Sequence, residues 1–152
     1  TGGEKEYSAV RRYEGFLNSR KKHGVPLSDA MTYQGDYSFE SGYRCAKELL
    51  TKDVTAVFAF NDMMAYGAMK AAAEIGKKIP EEVSLIGYDD ILFSSMTYIP
   101  LTTVRQPMEE ISGRVYREIK GLLSGEISEE ESCMQNIKPE LVIRASVRDL
   151  NV

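Results

Sequence analysis

TAVFAFNDMMAYGAMKAAAEIGKKIPEEVSLIGYDD, residues 55–90, reads as strand, helix, strand. Residues 55–60 are a continuous apolar run with branched and aromatic side chains, the pattern of a strand buried on both faces. The run stops at Asn61 and Asp62, residue types that open helices because a side-chain oxygen accepts a free backbone N–H. A helix is expected from about Met63 to Ile75, with Gly76 ending it. Pro80 and two glutamates lead into a second buried strand, VSLIGYDD, which runs into two aspartates. Strand, crossover helix and strand in this order imply parallel pairing under a helical cover.

The flanks continue the alternation. Residues 8–23 read as a helix with Val10, Tyr13, Phe16 and Leu17 on one face, Ser8 as its cap and Gly24 in the left-handed position at its end. Residues 30–35 suit a short strand. Residues 41–50 suit a second helix with Tyr43, Ala46, Leu49 and Leu50 in one stripe. LTTVRQ, residues 101–106, is a further strand, and Pro107 sits where proline opens a helix at little cost. Met108, Ile111, Val115, Ile119, Leu122 and Leu123 then keep helical spacing to Gly125. A polar loop through Glu131 precedes a last strand, ELVIRASV. The expected class is α/β, a doubly wound, mostly parallel sheet.

The 152 residues, 43% hydrophobic and 28% charged, are enough for one α/β domain with a core. No apolar stretch approaches the ~20 residues of a membrane helix. The start, TGGEKEYSAV, carries no basic-then-apolar leader pattern. The net charge of −4 is spread rather than gathered into one basic face. A surface that grips DNA neutralises phosphates, so any DNA contact is expected from another segment. Cys45 and Cys133 share no motif spacing and form no metal pattern with His23, so both read as free thiols of a reducing compartment. No metal and no cofactor are expected: Asp89 and Asp90 could hold a cation, but no second carboxylate cluster stands ready to complete the shell. The glycine patterns of dinucleotide and phosphate loops and the nucleophile elbow are not present, which argues against an enzyme.

Ligands of open parallel sheets bind beyond the carboxyl ends of the strands. Two of the expected strands end in polar groups there, at Phe60-Asn61-Asp62 and at Tyr88-Asp89-Asp90. Arg12 lies one helical turn past Ser8, near the start of the first helix. A guanidinium, carboxylates and an amide around a cleft suit a sugar, whose hydroxyls donate to a carboxylate while accepting from a guanidinium. Tyr37 and Phe60 are candidates to cover the apolar side of the ring. Each residue has a plainer reading: Asn61 or Asp62 as a helix cap, Asp89-Asp90 as a turn, Arg12 as a surface charge, Tyr37 as a loop aromatic.

Longer segments carry a resemblance. QGDYSFESGY (34–43), residues 60–90 and LTTVRQP (101–107) resemble the lactose/galactose-repressor family of bacterial transcription regulators. SAVRRYEGF (8–16) is similar to that family's S-x-x-x-R-x-x-G-F segment, and PELVIRASV (139–147) to its closing strand. The resemblance implies a type I periplasmic-binding-protein fold, cut from a protein with an N-terminal helix-turn-helix, a hinge helix and two subdomains that hold an effector between them. It implies that Arg12 and Asp89 bind the effector, that Asn61 contacts sugar, and that Tyr37 lays a ring over it. It further implies that Ser8 and Gln106 line the cleft and that Met108 faces it from the other subdomain.

By the same resemblance, residues 1–106 belong to the C-terminal effector-binding subdomain, 107–138 cross into the N-terminal one, and 139–152 return. The strand expected before Thr1 lies outside this chain, and the 107–138 helix is left to pack on another chain or on its own subdomain. Gln106 and Pro107 become hinge points. The implied protein is a cytoplasmic, homodimeric repressor without enzymatic activity. It would sense a small-molecule effector, a sugar, and reach operator DNA only through its N-terminal domain, with no membrane contact. A transporter's periplasmic or extracellular sugar-binding protein would share the architecture.

Overall fold

The computed structural model describes residues 1–2, 6–26, 31–128 and 136–150. Four helices and four strands follow one another: α1 (Tyr7–Lys22), α2 (Phe39–Leu49), β1 (Ala56–Phe58), α3 (Asp62–Glu74), β2 (Ser84–Asp89), β3 (Thr102–Arg105), α4 (Met108–Ser124) and β4 (Glu140–Val142). A short 3-10 turn, Leu92–Ser95, lies between β2 and β3. The sheet runs β1-β2-β3-β4. β1 and β3 pair parallel to β2, and β4 closes the far edge antiparallel to β3, with Thr103 opposite Val142. The expected α/β class with a mostly parallel sheet is what forms.

Both faces of the sheet are covered, because β1 alternates. Val57 and Ala59 join the core made by α2 and α3, with Ala46, Leu50, Met64, Ala65, Ala68, Leu85 and Leu101. Phe58 and Phe60 turn the other way and meet Phe16 and Tyr13 of α1, with ring centroids 6.0 and 6.5 Å apart. α2 and α3 cross with their backbones in contact. A Cβ on Gly42 would sit 2.3 Å from the Met64 carbonyl oxygen, and one on Gly67 2.2 Å from that of Phe39, so only glycine permits this crossing.

Several elements depart from expectation. α1 turns Ala9, Arg12, Tyr13 and Phe16 inward, while Val10 and Leu17 face solvent. An inward arginine disguises the stripe. Ser8 is not the cap: Glu6 holds that position, without a side-chain bond, and Ser8 lies inside the helix. Gly24 does take the left-handed conformation (φ +66). β1 is three residues long and only partly buried, because among the described residues it pairs on one edge alone. The segment expected as a strand at 30–35 forms none over residues 31–35. It runs beside the first two residues instead, with Gly35 N–H donating to the Thr1 carbonyl at 2.7 Å.

β4 ends at Val142 and the chain continues irregularly. There Ser146, fully buried, is stitched between β2 and β3. Its hydroxyl donates to the Leu85 carbonyl (2.6 Å) and accepts from Thr102 N–H (2.8 Å), and its carbonyl accepts from Leu85 N–H (2.7 Å). α4 spans the expected residues, with Gly125 left-handed at its end. Its apolar stripe is not packed on the sheet: Met108, Val115, Ile119 and Leu123 are all more than half exposed.

Cys45 is a free thiol donating to the Gln34 carbonyl; Cys133 lies outside the described residues. No helix among the described residues is long and apolar enough to cross a membrane.

Candidate functional site

The parallel strands bring three chain segments together at their carboxyl ends: Phe60-Asn61 after β1, Asp89-Asp90 at the end of β2 and Gln106 after β3. α1 delivers Arg12 across them from the covered face. One Arg12 Nη donates to the Phe60 carbonyl, and the other stands 3.4 Å from Asp89 Oδ1. The guanidinium lies 3.8 Å from the centre of the Tyr88 ring and 5.9 Å from that of Tyr37. A guanidinium over an aromatic face gains electrostatically from the ring quadrupole. That stacking also fixes the plane of the donor fork.

Asp89 is shared. Gln106 Nε2 donates to the same Oδ1 at 2.8 Å, and Oδ2 accepts no hydrogen bond from the described residues. Burial pushes the Asp89 carboxyl above its ordinary range; the Gln106 hydrogen bond and the Arg12 charge oppose this, and the nearby Asp62 charge adds to it. A carboxylate that is short of donors and poorly solvated gains most from an incoming hydroxyl.

Tyr37, Asp89 and Asp90 all hold positive φ values (66, 109 and 54). Backbone of this kind costs on the order of 1–3 kcal/mol per residue and persists only where the surroundings over-determine it. Tyr37 is held from three sides. Its hydroxyl pairs with Ser8 Oγ at 3.1 Å, its carbonyl accepts from Asn61 Nδ2 at 2.9 Å, and its ring lies where a Gly2 Cβ would be, 2.2 Å from Cζ.

Asn61 is therefore a cap and a tether together: Oδ1 accepts from Met64 N–H while the amide holds the Tyr37 loop. Phe60 does not offer a ring to the cleft. It is 3% exposed, packed on Tyr13 and Phe58, and contributes its carbonyl to Arg12. Met108 opens α4 two residues beyond Gln106 with its side chain exposed.

Beneath the site lies a carboxylate read only as a cap or an unassigned anion. Asp62 is 1% exposed and accepts from Thr103 Oγ1 (2.6 Å), Ser94 Oγ (2.5 Å) and Ile91 N–H (3.0 Å). It anchors the chain just after Asp90. Tyr88 beneath Arg12, and the pairing of Asp90 with Arg105 and Arg144, were also missed. The alternation of β2 held a signal for Tyr88, since neighbours on a strand face opposite sides; nothing local pointed to Arg144.

A mostly parallel sheet with helices on both faces and a cation–anion pair at its strand ends has the architecture of an α/β binding-protein domain. A family described as periplasmic binding protein-like domain matches residues 1–147. The HTH-type transcriptional repressor PurR of Pasteurella multocida is 39% identical over 145 residues, 93% of this chain and 42% of the relative. The transcriptional regulator CelR, solved as a cellobiose complex, superposes with a TM-score of 0.90 at 28% identity, over 96% of this chain and 45% of that one. A LacI family transcriptional regulator from Enterococcus faecium with bound ribose gives 0.78 at 30% identity, over 90% of this chain and 50% of that one. The chain thus spans no more than about half the length of these proteins. It belongs to the family of periplasmic binding protein-like domains.

Proposed function

We propose that this chain is the effector-sensing part of a DNA-binding transcriptional repressor, that its effector is a sugar, and that an N-terminal helix-turn-helix of the same protein contacts the operator. The observation that carries the reading is the Arg12–Asp89 pair, held 3.4 Å apart across the ends of β1 and β2. At that spacing the pair is a loose hydrogen bond. A sugar hydroxyl entering beside it accepts from the guanidinium and donates to the carboxylate, replacing one long bond by two charge-assisted ones. Gln106 orients Asp89, and Tyr37 is placed to cover the ring.

The relatives support this assignment. PurR is named a repressor, and the two structural neighbours are regulators that hold cellobiose and ribose. Those names favour the repressor over the transporter-associated sugar-binding protein. A net charge of −4 fits a domain that leaves phosphate contacts to another segment. No catalytic activity belongs to this reading, and the repressor works in the cytoplasm.

The mechanism is a two-state shift. A sugar that binds one arrangement of two subdomains better than the other moves the equilibrium by its differential affinity, and by no more. Residues 107–138 belong to the partner subdomain, so the exposed stripe of α4 is covered there. The protein is a homodimer. Leu92, Phe93, Met96 and Tyr98, all strongly exposed in the loop after β2, are the apolar surface available to the second copy.

The test is a thermal-shift screen of the intact protein against mono- and disaccharides, ribose and cellobiose included, with nucleobases as the contrast. A ligand at 100 times its Kd adds about 2.7 kcal/mol to the state it binds. Asp89→Ala should abolish the shift and leave operator binding intact. A panel without a stabilising sugar, or a full response in Asp89→Ala, would remove the reading.

A further inference from the structure

The two aspartates that end IGYDD face different ways. Asp89 points to Arg12 and Gln106. Asp90 points away from that pair, its side chain 6% exposed, into a second set of cations. Asp90 Oδ2 accepts from Arg105 Nε at 2.6 Å, and Oδ1 accepts from Arg144 Nη2 at 2.6 Å. Arg105 closes β3, the strand from which the chain leaves for α4. Arg144 lies two residues past β4, the strand by which it returns. One carboxylate thus spans the outgoing and the incoming segment.

The clamp is anchored on both sides. Arg144 donates its other Nη to the Leu101 carbonyl (2.7 Å) and its backbone N–H to Thr102 Oγ1 (2.9 Å). Arg105 also reaches Glu140, the first residue of β4, at 3.8 Å. Burial pushes the Asp90 carboxyl up, but the hydrogen bonds and charges of Arg105 and Arg144 outweigh it and hold it below the ordinary carboxylate range. Asp89 and Asp90 are consecutive, and both have positive φ. The Asp89 contacts with Arg12 and Gln106 and the Asp90 contacts with Arg105 and Arg144 therefore share one turn of backbone.

We propose that Asp90 is a positioning residue that ties both crossover segments to the Asp89 turn, so that occupancy at Asp89 is felt where the chain leaves and re-enters the sheet. The physical link stands on geometry; its use in regulation rests on the sugar-sensing reading above. Among the described residues Asp90 makes no hydrogen bond or ion pair with Arg12, Gln106 or Tyr37, so its loss should separate coupling from binding.

The experiment compares intact wild-type protein with Asp90→Asn and Arg105→Gln. Arg105 is half-exposed, and its replacement cuts only the outgoing arm if the buried variant folds poorly. Hydrogen exchange without ligand comes first. Asp90→Asn should exchange about tenfold faster at Gln106, Met108 and Ile143–Arg144, with α2 and α3 unchanged, and Arg105→Gln should do so at Gln106 and Met108 alone. Unchanged exchange in both variants overturns the clamp whatever the effector is.

Operator affinity with and without the stabilising sugar from the screen comes second. Coupling, typically about 5–150-fold, should fall toward unity in Asp90→Asn while sugar affinity stays within about threefold of wild type. Wild-type coupling in that variant, or a loss of sugar affinity as large as that of Asp89→Ala, overturns the positioning role. If no sugar acts on wild type, the sugar reading fails separately and hydrogen exchange alone decides the clamp.

Discussion

Replacing Asp62 by alanine removes the acceptor for three donors, two of them on fully buried residues. The Ser94 hydroxyl has an alternative in Tyr66, 2.8 Å away. Among the described residues the half-buried Ile91 N–H and the fully buried Thr103 hydroxyl have no second acceptor. An unsatisfied buried donor costs about 1–3 kcal/mol and a half-buried one less, so Asp62→Ala should lose about 3 kcal/mol. Asp62 also explains a glycine: a Cβ on Gly87 would stand 2.2 Å from its Oδ1 and 2.8 Å from Leu101 Cδ2. Overpacking of that kind costs about 1–3 kcal/mol.

The two penalties share an atom, so they should not add. In the Asp62→Ala background the carboxylate obstacle is gone, and Gly87→Ala then meets only the end of a leucine. The pair should be coupled by about 2 kcal/mol, within the range seen for contacting residues. Native-state hydrogen exchange of the Leu85 and Ile86 amides in the intact protein reads the opening free energy of β2 for both single variants and the double. Additivity within about 0.5 kcal/mol, or a cost for Asp62→Ala below about 1 kcal/mol, would refute the shared-atom argument.

Two further outcomes follow from the same contacts. The neighbouring aspartates should show opposite pH dependence. The stability that ionised Asp90 supplies is present above about pH 3.9 and is lost as pH falls through its depressed folded value, so the deficit of Asp90→Asn should shrink in acid. Asp89 is raised by burial, so its ionisation costs stability as pH rises through the folded value, and Asp89→Asn should gain on wild type toward neutrality; melts from about pH 3 to about pH 7 check both signs. Phe93→Glu places a charge among the exposed apolar residues after β2 and should shift the intact protein from dimer to monomer in light scattering at unchanged helix content; a dimer of wild-type strength would show that this surface is not the contact.

What the sequence made legible was local. Residues 55–90 were readable because the apolar run, the Asn61 cap and the Gly76 stop lie next to the elements they define. The Arg12–Asp89 meeting was reachable because both lie at ends that a parallel sheet brings together. The Phe60 ring was misplaced because period-two alternation sends it under α1 rather than into the cleft. The inner face of α1 was misjudged by one position, since its stripe includes a charged residue whose partners, Phe60 and Asp89, lie 48 and 77 residues away. The Asp90 clamp was invisible for the same reason: Arg144 is 54 residues distant and sits in a segment that reads as strand. The α4 period was plain, yet a period tells which face is apolar and not what lies against it.

The stitch at Ser146 fixes how the end of this chain can vary. Leu85 spends both its N–H and its carbonyl on one downstream serine, and Thr102 spends its N–H there too. Arg144, two residues earlier, donates its own backbone N–H to the Thr102 hydroxyl. The span from Val142 to Ser146 is therefore a ruler: one residue inserted or deleted would slide the serine out of its slot and strand three buried amide groups of the two central strands. Variation in length is tolerated before Glu140 or beyond Arg148, and any version that stops short of Ser146 unzips β2 from within.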